Sequence, residues 1–242
     1  MKFTGATILD VVKGELFQGS VLVEGSKIAR VSRSSEEASA WDAEVYDAAG
    51  CYLIPGLIDA HVHLSLMIPD PHNVSAFERE GERALKAYRE AKSVLSAGFT
   101  TLRVVGDASF VDLSLRDAVE SKTVMGPRIV ACGQPIRCTG GHGSNGKITA
   151  LYVEEAVEAD GADEVRKAVR RQMKYGVDQI KLLITGGIAG LREGPGESQM
   201  TFEEMQAACD AAHNKGLKVS AHAGDPMAIK TAVRAGVDSV EH

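Results

Sequence analysis

The sequence predicts an α/β fold: a parallel (β/α)8 TIM barrel, of which about six strands are present, preceded by a small β domain. Three observations support this prediction. A unit of helix, glycine and short apolar strand recurs at Gly98, Gly176, Gly216 and Gly236. Helical crossovers of this kind join parallel strands. Polar residues follow the carboxyl ends of nearly every strand, which favours a barrel over an open sheet with one switch point.

Residues 1–55 differ from the rest of the chain and are predicted to form a small β-sandwich-type domain. Runs typical of strands cover Ala6–Leu9, Ser20–Glu24, Lys27–Ser32 and Tyr46–Leu53. The second and third runs predict a hairpin in which Gly25 supplies the positive φ of a tight turn. Gly50 interrupts the fourth run. Residues 56–242 are expected to form the second domain, a (β/α) barrel that is incomplete at its carboxyl end.

The barrel segment alternates regularly between the two kinds of element. Strands are predicted at Leu57–Leu64, Thr100–Val105, Arg128–Cys132, Gln179–Ile184, Lys218–Ala223 and Asp238–His242. Helices are predicted at Ser75–Ala97, Asp112–Ser121, Ala162–Tyr175, Thr201–Lys215 and Pro226–Ala235. Four of these helices are directly followed by a glycine, the residue that most readily adopts the left-handed conformation after a helix.

The composition excludes several classes of protein. With 242 residues, of which 44% are hydrophobic and 25% charged, the chain can bury a sizeable core. A formal net charge of −6 argues against a nucleic-acid binder. No run of about 18 apolar residues predicts a membrane span, and MKFTGATILD lacks the apolar core of a signal peptide. Four cysteines without a CxxC pair predict reduced thiols in a cytoplasmic protein.

Four histidines at the ends of predicted strands indicate a metal site. His61 and His63 are two residues apart in one strand, so both side chains face the same side. His222 and His242 end two further strands. If these strands line a barrel, all four imidazoles converge at its carboxyl end, whereas unrelated histidines would be scattered. Histidine is the commonest metal ligand, and the pattern therefore favours metal binding.

Lys181 is unusual because it lies within the apolar strand QIKLLI. A buried ammonium without a partner is costly, so the residue needs a partner or must lose its charge. One interpretation is a lysine whose amine reaches a carboxylate or the end of the strand. The other is a lysine that has reacted with CO2, since a carbamate is an anionic ligand with two oxygens that can bridge two metal ions.

Several segments together resemble one known family. Residues 55–64, PGLIDAHVHL, resemble the opening signature of the amidohydrolase superfamily. Lys181, His222 and His242 match that family's order of metal ligands. TGGHG at 139–143, ITGG at 184–187 and VEH at 240–242 resemble the imidazolonepropionase-related branch, which includes Xaa-Pro dipeptidases (prolidases).

The resemblance implies a binuclear metal site, usually zinc. His61 and His63 would bind the more buried ion, and His222 and His242 the more exposed one. Carboxylated Lys181 would bridge the two ions together with a hydroxide that attacks the scissile carbonyl. The implied reaction is hydrolysis of an amide or peptide bond in a small substrate such as a dipeptide. His142 would hold the substrate carbonyl or carboxylate, and the intact protein is expected to be a homo-oligomer.

The chain departs from the family in two respects. The family's catalytic Asp follows the eighth strand, beyond His242, so no catalytic residue is assigned here. A whole barrel needs about 250 residues, but only 187 follow Pro55 (242 minus 55), so we interpret the chain as an amino-terminal portion. Dipeptidase-like relatives place a Tyr two residues after the fifth-strand His, where this chain has Gly224. Arg137 or Arg192 could bind a carboxylate instead, although solvated loop arginines are the preferred interpretation.

Two alternative functions stay open at this point. A mononuclear deaminase or imidazolonepropionase-like cyclic amidohydrolase would use the same fold, but such relatives generally lack the bridging lysine. The third interpretation is an inactive fragment that binds metal at most. His72 and His213 are expected at the surface, and Arg103 is either a polar core residue or a partner of the metal ligands.

Overall fold

The computed structural model divides the chain into two compact units, Met1–Gly56 and Leu57–His242. It describes residues 1–66, 78–144, 155–188 and 193–242. His72, Arg192 and the first three residues of the predicted helix Ser75–Ala97 lie outside these ranges. Each unit is described by itself below.

The first unit is one five-stranded sheet with a short helix. Its elements are β1 Lys2–Asp10, β2 Glu15–Glu24, β3 Lys27–Ser32, α1 Ser35–Ser39, β4 Val45–Asp47 and β5 Tyr52–Leu53. β1 to β3 are antiparallel, while β4 and β5 both pair in parallel with β1. The hairpin at Gly25 is present, with φ at 59°. The sandwich-type expectation is wrong for this chain, because residues 1–56 form a single sheet.

The second unit contains all six predicted strands and all five predicted helices. Its elements are β6 Leu57–Val62, α2 Glu80–Ser96, β7 Phe99–Val104, α3 Val111–Glu120, β8 Arg128–Val130, β9 Ile136–Arg137, β10 Val157–Glu158, α4 Gly161–Tyr175, β11 Gln179–Leu183, α5 Phe202–His213, β12 Lys218–His222, α6 Pro226–Ala235 and β13 Ser239–Glu241. The strands β9 and β10 were not predicted. Each has only two residues, which is too short for a recognisable hydrophobic period.

The strands of this unit form two parallel sheets rather than a closed barrel. One sheet has the order β6-β7-β8 and the other the order β10-β9-β11-β12-β13. β8 and β11 meet at their ends, where the Asp178 amide donates to the Ala131 carbonyl at 2.8 Å. No ladder closes the ring of strands within the described residues. The mixed α/β prediction is therefore confirmed, and the closed barrel is not observed.

The helices pack against the sheets and hold the strands rigidly. Side chains such as Leu102, Ile180 and Val219 are fully buried in a continuous apolar core. α4 and α6 end at Gly176 and Gly236, with φ at 86° and 99°, as the helix–glycine–strand pattern predicts. Strand ends held by such a core are rigid positions for functional side chains.

All four cysteines are free thiols, as predicted. Cys132 and Cys209 are buried. Among the described residues, no helix combines the length and the apolar character that a membrane span requires.

Candidate metal centre

Five histidines from separate parts of the second unit form one continuous group. The ring centroids of His61 and His242 are 4.6 Å apart, and those of His222 and His242 are 4.8 Å apart. His63 lies beside His61 at 5.5 Å. His142 stacks on His222 at 4.2 Å, with an angle of 14° between the rings. The structure therefore brings together the four histidines predicted from strand ends and the loop histidine.

The strand register explains this convergence. His222, the last residue of β12, pairs with Leu183 of β11 on one side and Glu241 of β13 on the other. His61 is in β6, and His63 directly follows that strand. Because the strands within each sheet run in parallel, their carboxyl ends lie at one edge of that sheet. The predicted position of each histidine at a strand end is thereby observed.

Hydrogen bonds fix the tautomers of the histidines. His61 donates its Nδ1–H to the Glu241 carboxylate at 2.8 Å, and His63 donates its Nδ1–H to the Gly106 carbonyl at 2.7 Å. His222 donates its Nε2–H to the Gly186 carbonyl at 3.1 Å. In each neutral ring the other nitrogen keeps its lone pair. Metal-binding histidines typically use one nitrogen for an oxygen acceptor and the other for the ion.

Burial keeps His63, His222 and His242 neutral near pH 7. Loss of solvation, assisted by the nearby cationic groups, lowers the pKa of both His63 and His222 to about 4. Burial likewise lowers the pKa of His242. A neutral imidazole is the form that binds a metal ion. The environment therefore favours the ligand form of these side chains.

Lys181 has its amine buried without a hydrogen-bond partner. The residue is 2% exposed, and no described group accepts a hydrogen bond from its Nζ. Burial lowers its pKa to about 8, an effect that the Glu241 charge opposes. The described residues therefore do not show the first interpretation, in which the amine of Lys181 bonds to a carboxylate.

The donor set fits divalent metal ions by its chemistry. Such a site needs neutral imidazoles that each keep one nitrogen free for the ion. The buried amine of Lys181, which has no hydrogen-bond partner, adds a further group for the ion to recruit. Within the described ranges, no three His, Cys, Asp or Glu side chains already form a set that could hold an ion. The imidazole rings instead pack against one another.

Glu241 connects the histidine group to a partly buried ion pair with Arg103 that was not predicted. Its carboxylate accepts from Arg103 Nη2 at 2.7 Å and from Ser239 Oγ at 2.8 Å, besides His61. Although burial raises the pKa of Glu241, the hydrogen bonds from His61 and Ser239 and the charges of Lys181 and Arg103 bring it down to about 2. Arg103 is thus linked through Glu241 to the predicted ligand His61. In the sequence, the position of Glu241 directly before His242 is the feature that could have indicated this role.

The surroundings of Arg137 and Gly224 bear on how a substrate carboxylate could be bound. Arg137 is 2% exposed, so the solvated-loop interpretation is wrong; its Nη1 donates to the His142 carbonyl at 3.2 Å. At Gly224, a Cβ would lie 2.9 Å from the Pro195 carbonyl oxygen, which leaves no room for a side chain such as Tyr. His213 is exposed, as expected, and pairs with Asp238 at 2.8 Å.

The aspartates near the site bind backbone groups. Asp59 accepts from the His61 amide at 3.1 Å, and Asp225 caps α6 through the Ala228 amide at 2.8 Å. Asp107 accepts from the Leu64 and Ser65 amides at 3.2 and 2.8 Å and shapes the chain after His63. Each of these three carboxylates therefore accepts hydrogen bonds from nearby backbone amides.

Known proteins are similar to this chain in sequence and in fold. Ochratoxinase from Aspergillus niger is 29% identical over 212 residues, which cover 78% of this chain and 43% of the relative. A Xaa-Pro dipeptidase structure with bound methionine is 33% identical with a TM-score of 0.89, over 100% of this chain and 61% of the other. A prolidase structure with N-methylphosphonate-L-proline is 32% identical with a TM-score of 0.89, over 100% of this chain and 60% of the other.

The chain thus spans less than two thirds of the length of these relatives. The sequence model of the family described as "Amidohydrolase family" matches residues 52–242, which include all five histidines and Lys181. Amidohydrolases generally use divalent metal ions. The chain belongs to the amidohydrolase family.

Proposed function

We propose that this protein is a metal-dependent hydrolase that cleaves the amide or peptide bond of a small substrate, with Xaa-Pro dipeptides as the substrate class. The observation that supports this most directly is the unpartnered, buried amine of Lys181, whose charge acts on the neutral His63 and His222. The similarity to Xaa-Pro dipeptidase and prolidase structures, at 32–33% identity, supports the substrate class.

Four histidines and Lys181 would hold two divalent ions, for which zinc is the first candidate. His61 and His63 would serve one ion, and His222 and His242 the other. Divalent ions at this position would supply Lewis acidity to a scissile carbonyl and to water. The identity of the metal depends on geometry and supply as much as on ligand type.

Lys181 would become a ligand by reaction with CO2. The lone pair of the neutral amine attacks the carbon of CO2, an N–C bond forms, and one N–H proton leaves to solvent. One π bond of CO2 breaks, and the product is a carbamate whose single negative charge is shared by two oxygens. Because the pKa of Lys181 is lowered to about 8, the neutral amine is far more populated near pH 7 than in an exposed lysine. The reaction replaces an unpartnered buried cation by an anion that suits two cations.

Three further residues of the site would orient a metal ligand or bind the substrate. Glu241 holds the Nδ1–H of His61 and so directs the other nitrogen of that ring. Arg103 holds Glu241 in turn and also bonds to the Ala60 carbonyl at 2.6 Å, next to His61. His142, stacked on His222, would bind the carbonyl or carboxylate of the substrate.

The proposal is tested by incubating the purified full-length gene product with zinc and bicarbonate and measuring proline release from a set of Xaa-Pro dipeptides. Turnover is expected in the wild type and in the exposed-lysine control Lys215→Ala, and it should be lost in Lys181→Ala. Turnover that survives in Lys181→Ala would contradict the role of the carbamate. No turnover of any dipeptide by the wild type would contradict the proposed activity.

A further inference from the structure

His142 is held from several sides by residues that the family resemblance does not include. Its ring bonds to Glu193, its backbone amide bonds to Gln199, and its face lies against His222. We propose that Glu193 and Gln199 are positioning residues that fix His142 in one tautomer and one orientation for its contact with the substrate. This inference rests on the proposed function, because it assigns the support of a group expected to bind the substrate.

Glu193 selects the tautomer of His142. The Nδ1 atom of His142 lies 2.8 Å from Glu193 Oε1. A carboxylate can only accept a hydrogen bond, so the ring must donate from Nδ1. The Gly143 amide donates to the same oxygen at 3.2 Å, which ties the loop after His142 to the same carboxylate. Nε2 is therefore the ring nitrogen left for the substrate: it accepts a hydrogen bond in the neutral ring and donates to a substrate oxygen when the ring is protonated.

Gln199 connects the two partners and anchors them to the sheet. Its Oε1 accepts from the His142 amide at 2.8 Å, and its Nε2 donates to Glu193 Oε2 at 3.5 Å. The Gln199 amide donates to the Ile184 carbonyl, directly after β11, at 2.8 Å. Nearby, the Gly186 amide donates to the Glu197 carbonyl at 3.0 Å. The segment 193–199 is thus fixed to the end of β11 by its backbone.

Steric contacts limit rotation of the ring. A Cβ on Gly187 would overlap the Cε1 atom of His142, so this position accepts the ring only because it has no side chain. The nearly parallel His222 ring, 4.2 Å away, covers one face. A hydrogen bond at one nitrogen, a neighbour at the edge and a ring on one face leave His142 little freedom. A group prepared in this way loses less entropy when it binds its target.

The inference is tested by ¹⁵N NMR of the histidine side chains in the 242-residue chain, with the His142 signals assigned from a His142→Gln variant. The wild type should show His142 as the Nδ1–H tautomer. Glu193→Ala should give a mixture of tautomers, because the acceptor is gone. Glu193→Gln retains an amide oxygen as acceptor and should largely restore the wild-type tautomer. Glu197→Ala removes an exposed carboxyl of the same segment and should leave the His142 signals unchanged.

A steady-state comparison on a Xaa-Pro dipeptide gives the functional readout. Glu193→Ala should lower kcat/KM about tenfold, the loss expected for one substrate hydrogen bond, mainly through a higher KM. Glu193→Gln should recover most of this loss. An unchanged His142 tautomer in Glu193→Ala would overturn the inference. Because the NMR readout requires no turnover, it decides this question even if the proposed activity fails.

Discussion

Glu241 accepts the Nδ1–H of His61 at 2.8 Å, although the two residues are 180 positions apart in the sequence. The contact joins β13 to β6, which belong to different sheets. Arg103 from β7 completes the connection by donating to Glu241 and to Ser239 Oγ. A side-chain network thus holds two strand ends that share no ladder, and both ends present proposed metal ligands.

Replacement of this carboxylate should weaken the fold measurably. Glu241→Ala removes the partner of the Arg103 guanidinium and of His61, so we expect a loss of about 2 kcal/mol in the free energy of unfolding, measured by urea denaturation. Glu203→Ala, which removes an exposed carboxyl from the first turn of α5, should change it by no more than about 0.5 kcal/mol. Equal stability of the two variants would contradict a structural role of the network.

Lys181→Met should have opposite effects on stability and on metal binding. In buffer without bicarbonate, the wild type holds a buried amine without a partner, and a methionine of similar length removes that cost. We expect the free energy of unfolding to rise by about 1 kcal/mol, on the order of one unsatisfied buried polar group, while zinc retention falls. A destabilised variant that retains zinc like the wild type would exclude the proposed role of Lys181.

Acid should destabilise the metal-free protein through His63. Its pKa is lowered from 6.5 to about 4 in the folded state, so the unfolded chain binds the proton first as the pH falls. The stability is therefore fully present above pH 6.5 and decreases as the pH falls toward 4, by on the order of 1 kcal/mol per pH unit. His222 adds a change of the same sign.

The comparison of the wild type with His63→Gln between pH 4.5 and 7.5 measures this contribution. The variant should lose less stability per pH unit, because one titrating group is removed. Parallel stability curves for the two proteins would show that His63 does not titrate as described.

Gly187 should be intolerant of a methyl group. In Gly187→Ala the new Cβ overlaps the His142 ring, which must leave its place beside Glu193. The His142 side-chain NMR signals should therefore change, and dipeptide hydrolysis should decrease by about tenfold or more, as for a misplaced substrate-binding group. Gly196→Ala is the matched control, since a Cβ there meets no atom within 4 Å. The same response in both variants would show that the contact with His142 is not the cause.

Periodic features of the sequence predicted the fold well. The helix–glycine–strand units at Gly176 and Gly236 gave the correct order of elements, because a left-handed glycine and a short apolar strand are local signals. β9 was not predictable from two residues. The single sheet of the first unit and the division of the second unit's strands into two sheets depend on long-range pairing, which local patterns do not encode.

The site followed a similar division. The convergence of His61, His63, His222 and His242 could be predicted because successive βα units place the carboxyl ends of their strands on the same side. The residues that hydrogen-bond to the histidines of the site could not be predicted, because they are distant in the sequence. Glu241 bonds to His61 from 180 residues away, and Glu193 bonds to His142 from 51 residues away. The burial of Arg137 was also missed, because a polar residue in a glycine-rich segment has no hydrophobic period around it.

The central claim is that the four strand-end histidines and Lys181 bind two divalent ions. It is tested most directly by incubating the protein with zinc and bicarbonate, removing free metal by extensive dialysis and measuring the zinc that remains bound. We expect about two zinc ions per chain, and fewer in His61→Ala and in His222→Ala. Absence of bound zinc in the wild type, or retention that both substitutions leave unchanged, would contradict the claim.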